Sequence, residues 1–163
     1  MAQNILLETL LRDYWNFEDT ISSFYYLTKP YSAPPEQQSL VFLIRALPAR
    51  LKVDLTEEFA YKEFGELVKD AYLAQVIQET GLSRGKHDQK EEQPGNYVYT
   101  QELHSGAVFS FDLDLRKNYL EIRVQTQDLP LRDRIMKITS EYLEKTLRLP
   151  RNEPPTVESI HGY

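Results

Sequence analysis

Val108-Phe109-Ser110-Phe111-Asp112-Leu113-Asp114-Leu115-Arg116 alternates in character from residue to residue. Phe109, Phe111, Leu113 and Leu115 fall on one side, and Ser110, Asp112 and Asp114 on the other. That period of two is the pattern of a half-buried strand. Lys117-Asn118 reads as a short turn. Tyr119 to Thr126 then alternates again, with Leu120, Ile122 and Val124 inward and Tyr119, Glu121, Arg123 and Gln125 outward. A two-residue turn pairs Leu115 with Leu120, Leu113 with Ile122 and Phe111 with Val124, so the apolar faces coincide.

Tyr97 to Leu103 reads as a preceding strand, closed by the turn His104-Ser105-Gly106. Asp128-Leu129-Pro130 opens a helix to about Leu147, with Pro130 in its first turn, where a missing N–H is harmless. Leu131, Ile135, Ile138 and Tyr142, with Leu143 and Leu147 beside them, form a stripe able to cover the apolar side of this antiparallel meander.

Upstream the chain reads as helical. Ile5, Leu6, Leu10, Phe17, Ile21, Phe24 and Tyr25 recur at three- and four-residue steps, predicting a long helix over 5–27 with Asn4 as its cap. Its many aromatic residues are expected to pack in the core. The apolar run Leu40-Val41-Phe42-Leu43-Ile44 fits either a short helix reaching about Ala46 or a buried strand, with the preceding Glu36-Gln37-Gln38 tilting the balance slightly to helix. Asp54-Leu55-Thr56-Glu57 has the spacing of a capping box, and a helix is expected from there to Thr80, stopped by Gly81. Residues 82–96 hold two glycines, a proline and almost nothing apolar, and are expected to be a mobile linker. The fold class that follows is α+β: N-terminal helices packed with a three-stranded antiparallel meander and a C-terminal helix. One domain is expected over 1–149, and a Pro-rich extended tail over 150–163.

Composition narrows the function. The chain has 163 residues, 41% of them hydrophobic and 27% charged, ordinary values for a globular protein and enough for a sizeable core. The 25 acidic against 19 basic residues leave a net charge of −6, which disfavours direct contact with nucleic acid. Arg132, Arg134, Lys137, Lys145 and Arg148 are interleaved with Asp133, Glu141 and Glu144, a solvated mixed-charge helix face. No cysteine is present, so disulfides, thiol nucleophiles and Cys-ligated metals are excluded. Met1-Ala2-Gln3-Asn4 lacks a basic leader, no apolar run reaches membrane length and no lipidation box is seen, so a cytoplasmic protein with no membrane contact is expected.

Catalytic motifs are missing. His87, His104 and His161 lack the spacing of a zinc site, and neither G-x-x-x-x-G-K-[ST] nor G-x-G-x-x-G occurs. His104, Ser105 and Asp112 have the residue types of a hydrolytic triad but no nucleophile elbow. No catalytic residue, metal site or cofactor is assigned.

What stands out is tyrosine, 11 of 163 residues, beside outward acids. Tyr97 and Tyr99 share one face of their strand, and Tyr119 is expected near them. The register sets Asp114 opposite Glu121 and Asp112 opposite Arg123. Like charges so opposed are mildly destabilising, and a cation or a basic group on a partner would relieve them. The expected partner face is therefore Tyr97, Tyr99, Asp112, Asp114, Tyr119, Glu121 and Arg123. The reading that follows is a non-catalytic protein-binding module: an adaptor, a regulator or a small dedicated chaperone. One alternative is a small-ligand or divalent-cation-dependent enzyme using the outward carboxylates. Another is a protein-contacting subunit of a nucleoprotein assembly.

Overall fold

The computed structural model describes residues 2–29, 39–104 and 106–153. In chain order the elements are α1 (Ala2–Tyr14), β1 (Ser23–Lys29), β2 (Ser39–Arg45), α2 (Leu47–Arg50), α3 (Glu58–Thr80), β3 (Arg84–Gln93), β4 (Asn96–Leu103), β5 (Ala107–Asp114), β6 (Tyr119–Gln125) and α4 (Leu129–Glu141). A π-helical turn, Tyr142–Thr146, continues α4. The α+β class holds. The meander β4–β5–β6 is present, but it is half of a six-stranded antiparallel sheet ordered β1-β2-β6-β5-β4-β3.

Several local expectations change. The helix expected over 5–27 stops at Tyr14, and the residues from Ser23 form β1. Beyond the helix end Asp19 holds a turn into β1: its carboxylate accepts the N–H groups of Ile21 and Ser22, both at 3.0 Å, local bonds that compete with helix. Past that turn, Ser-Phe-Tyr-Tyr-Leu-Thr is rich in residues that suit a pleated surface. The ambiguous run at 40–44 is strand β2, paired on both sides. The Asp54 carboxylate caps a turn at Thr56 rather than a helix, accepting its N–H at 2.9 Å and its hydroxyl at 2.8 Å. Helix α3 starts after Glu57, which makes no side-chain cap. Gly81 does end α3, at φ 77°.

The linker expected at 82–96 is mostly β3, joined to β4 through Pro94-Gly95. Low apolar content suits this strand because it lies at the sheet edge, where charges discourage further pairing. Lys90 and Glu92 stand opposite Tyr99 and Tyr97 and reach α3, pairing with Glu66 at 2.5 Å and Lys62 at 3.0 Å.

The β5–β6 register is displaced by two residues from expectation. Leu113 faces Leu120, Phe111 faces Ile122 and Phe109 faces Val124. A displacement of two keeps every side chain on its face but changes every neighbour. The connection is four residues, 115–118, because Asp114 accepts the N–H groups of Arg116 and Lys117 at 3.0 and 3.2 Å and Asn118 sits at φ 60°.

The core lies between the sheet and the helices. Phe42, Ile44, Ile122, Val124, Phe109, Phe111 and Leu113 supply the sheet side; Phe64, Val68, Tyr72 and Val76 of α3 and Ile135 and Ile138 of α4 cover them. The Tyr72 ring stands edge-on to Phe109 and Phe111, and its hydroxyl shares a 2.6 Å hydrogen bond with Thr139. Gly65 permits the closest approach of α3: a Cβ there would stand 3.0 Å from the Tyr97 ring. Helix α1 packs on α3 through Tyr14 and Phe64. Arg50, at the end of α2, is 1% exposed and reaches the loop after α1, with its guanidinium 3.3 Å from Asp19, bonded to Ser22 Oγ at 2.8 Å and set against Trp15. The α4 cap is Asp128, which accepts the Leu131 N–H.

Of the tail, 150–152 runs along the free edge of β1: Phe24 N–H donates to Pro150 O and Asn152 N–H to Phe24 O. The rest of the tail expected over 150–163, beyond residue 153, lies outside the described residues.

Candidate functional site

Helices α1, α3 and α4 all lie on one side of the sheet, and no described helix covers the other. Alternation assigns that open face. From β5 it takes Val108, Ser110, Asp112 and Asp114, and from β6 Tyr119, Glu121, Arg123 and Gln125. From β2 it takes Val41, Leu43 and Arg45, and from β1 Tyr25 and Leu27.

Five of the seven expected site residues are therefore on one surface: Asp112, Asp114, Tyr119, Glu121 and Arg123. Tyr97 and Tyr99 are not. They oppose Leu113 and Phe111, on the core side, at 1% and 4% exposure. Their hydroxyls are satisfied inside: Tyr97 donates to Glu66 and Tyr99 to Gln101, both at 2.8 Å. Lys69 lies 3.7 Å from the centre of the Tyr99 ring. A tyrosine whose hydroxyl finds a partner is a core residue, and parity alone does not reveal that.

The pairings expected on the open face also change. Asp112 stands opposite Glu121, and Asp114 opposite Tyr119. Arg123 faces Ser110 and reaches Glu121 of its own strand at 3.4 Å. Asp112 is stabilised instead by Asn96, whose amide donates to it at 2.6 Å. Asp114, 7% exposed, is occupied by the turn it caps. Burial first, then the fields of Asp112, Glu121 and Asp114, raise the Tyr119 phenol above its ordinary pKa.

The reading at 5–27 hid the apolar part of this surface. Tyr25 lies opposite Leu43, and Leu27 opposite Val41. Leu43 in turn faces Glu121, and Val41 faces Arg123. Tyr25, Leu27 and Leu43 are half-buried, with Val41 buried between them. An apolar patch on β1 and β2 therefore borders a charged strip on β6 and β5. The alternation of 23–29 was the signal, obscured because the aromatic spacing also fits a helix.

Among the described residues, no three or more His, Cys, Asp or Glu side chains gather to hold a metal ion. No helix is long and apolar enough to cross a membrane. Comparison of the chain with protein-family models, curated proteins and solved structures finds no match.

Proposed function

We propose that this protein is a non-catalytic protein-binding module that docks its partner on the open face of the sheet. The observation that carries the reading is the one-sided cover: three helices on one face, and on the other a patch of Tyr25, Leu27, Val41 and Leu43 beside Asp112, Glu121 and Arg123. Aromatic and aliphatic residues rimmed by charge have the anatomy of a protein interface, in which apolar anchors supply affinity and the rim sets orientation. The fitting partner is a protein with an apolar centre and basic flanks, since Asp112 and Glu121 are adjacent acids. Net charge of −6 speaks against nucleic acid as the direct partner. An adaptor or a small dedicated chaperone in the cytoplasm is the specific form of this reading, in keeping with the lack of cysteine.

Native co-purification followed by mass spectrometry tests it. A stoichiometric protein should be recovered by the wild-type chain and lost with Leu43→Asp, while Lys137→Ala on the helical side retains it. Equal recovery by Leu43→Asp and wild type would place the interface elsewhere.

A further inference from the structure

A cleft of about 640 Å3 opens at the end of the sheet where two turns meet the start of α3. Its frame is fixed by backbone. The Leu115 N–H donates to the Gly95 carbonyl at 2.8 Å, tying the β5–β6 connection to the β3–β4 turn. Asp114 holds the next two residues through their N–H groups. Leu55, Pro94 and Leu115 supply apolar lining. The volume lies within the roughly 300–1,000 Å3 of small-molecule sites.

The polar groups of the cleft are few and specific. Lys62 and Glu92 both line it and are paired with each other at 3.0 Å, so their charges largely cancel. Arg116 also lines it, is exposed, and forms no ion pair among the described residues. Lys62 and Arg116 line the cleft against Glu92, and Asp112 and Asp114 also act on Tyr61, so what the cleft offers an anion is the guanidinium of Arg116 rather than a net positive field. Tyr61 lines the cleft as well. It is 5% exposed, and its phenol oxygen is buried with no hydrogen-bond partner among the described residues. Burial, and then the fields of Glu92, Asp112 and Asp114, keep that phenol protonated, so it is a donor lacking an acceptor. Buried hydroxyls are rarely left unmatched. None of the described residues supplies that acceptor, which leaves it to a group seated against Tyr61 in the cleft. The other orphaned phenol among the described residues, Tyr142, packs edge-on to Tyr72 in the core.

We propose that this cleft binds a small organic anion. Its apolar body packs on Leu55, Pro94 and Leu115, its carboxylate or sulfonate pairs with Arg116, and an acceptor oxygen takes the Tyr61 O–H. Arg116 is suited to this role because its planar guanidinium pairs with such groups through two parallel bonds. The site lies at the end of the sheet, apart from the open face, and stands or falls separately from the partner-docking reading.

The probe is 8-anilinonaphthalene-1-sulfonate, an apolar aromatic anion whose fluorescence reports burial, titrated into the full chain. One saturable site is expected. Arg116→Glu, a surface change, should weaken binding by about tenfold or more through loss of a charge-assisted contact. Arg116→Gln provides the same test without reversing the charge. Tyr61→Phe should weaken binding while leaving the melting temperature equal or higher, because it removes an unmatched hydroxyl. Leu43→Asp on the open face should bind as wild type does. Absence of saturable binding, unchanged affinity in both Arg116 variants, or loss of the site in Leu43→Asp would overturn the proposal.

Discussion

Glu66 shows how much a single side chain organises on the covered side of the sheet. Burial alone would raise its carboxyl pKa, but hydrogen bonds from Lys69, Lys90 and Tyr97 outweigh that and bring it from an ordinary 4.5 down to about 2. A carboxyl depressed by folding stabilises the protein above its unfolded value, and that contribution is lost as pH falls through the folded one. Stability should therefore decline between about pH 4.5 and pH 2. Glu66→Gln should be less stable at neutral pH and should show a shallower acid decline, read from urea melts across that range. An equally steep decline would mean that other carboxylates carry it. No local pattern flags Glu66, because its partner Tyr97 is 31 positions away. The same tyrosine shows the limit of reading faces by parity. Alternation correctly puts Tyr97 and Tyr99 on one side, but which side depends on whether their hydroxyls find Glu66 and Gln101, and that is a tertiary fact.

At the level of elements, legibility followed the strength of the local signal. β5 and β6 alternate without interruption, and their faces were read correctly even though the register was off by two. Asp114 and Asn118 lengthen the turn, and a shift by an even number leaves the hydrophobic pattern untouched. Gly81 stops α3 where the sequence places the stop. β1 and β3 were hidden for opposite reasons. β1 carries aromatic residues whose spacing also fits a helix, while β3 carries so few apolar residues that it resembles a linker. An edge strand covered on one side by the charged ends of Lys62 and Glu66 has no need of apolar residues. Amide exchange followed by NMR separates the two readings of 88–93. A strand paired only with β4 should protect every second amide and leave the alternate ones facing water to exchange fast. Uniformly fast exchange through this segment would restore the linker.

The whole molecule is asymmetric: a six-stranded sheet with its helices on one side and an apolar and acidic surface on the other. The part of that surface on β1 and β2 is not legible in the sequence, because only the pairing of these strands in space joins it to β5 and β6. The natural chain has no cysteine, so single cysteines report position without interference. The most direct test is the maleimide labelling rate of Leu43→Cys, compared with Val124→Cys on the core side, in the free chain and in the complex with its recovered partner. Leu43→Cys should label fast in the free chain and be strongly protected in the complex, while Val124→Cys labels slowly throughout. Slow labelling at position 43 in the free chain, or labelling there that the partner leaves unchanged, would contradict it.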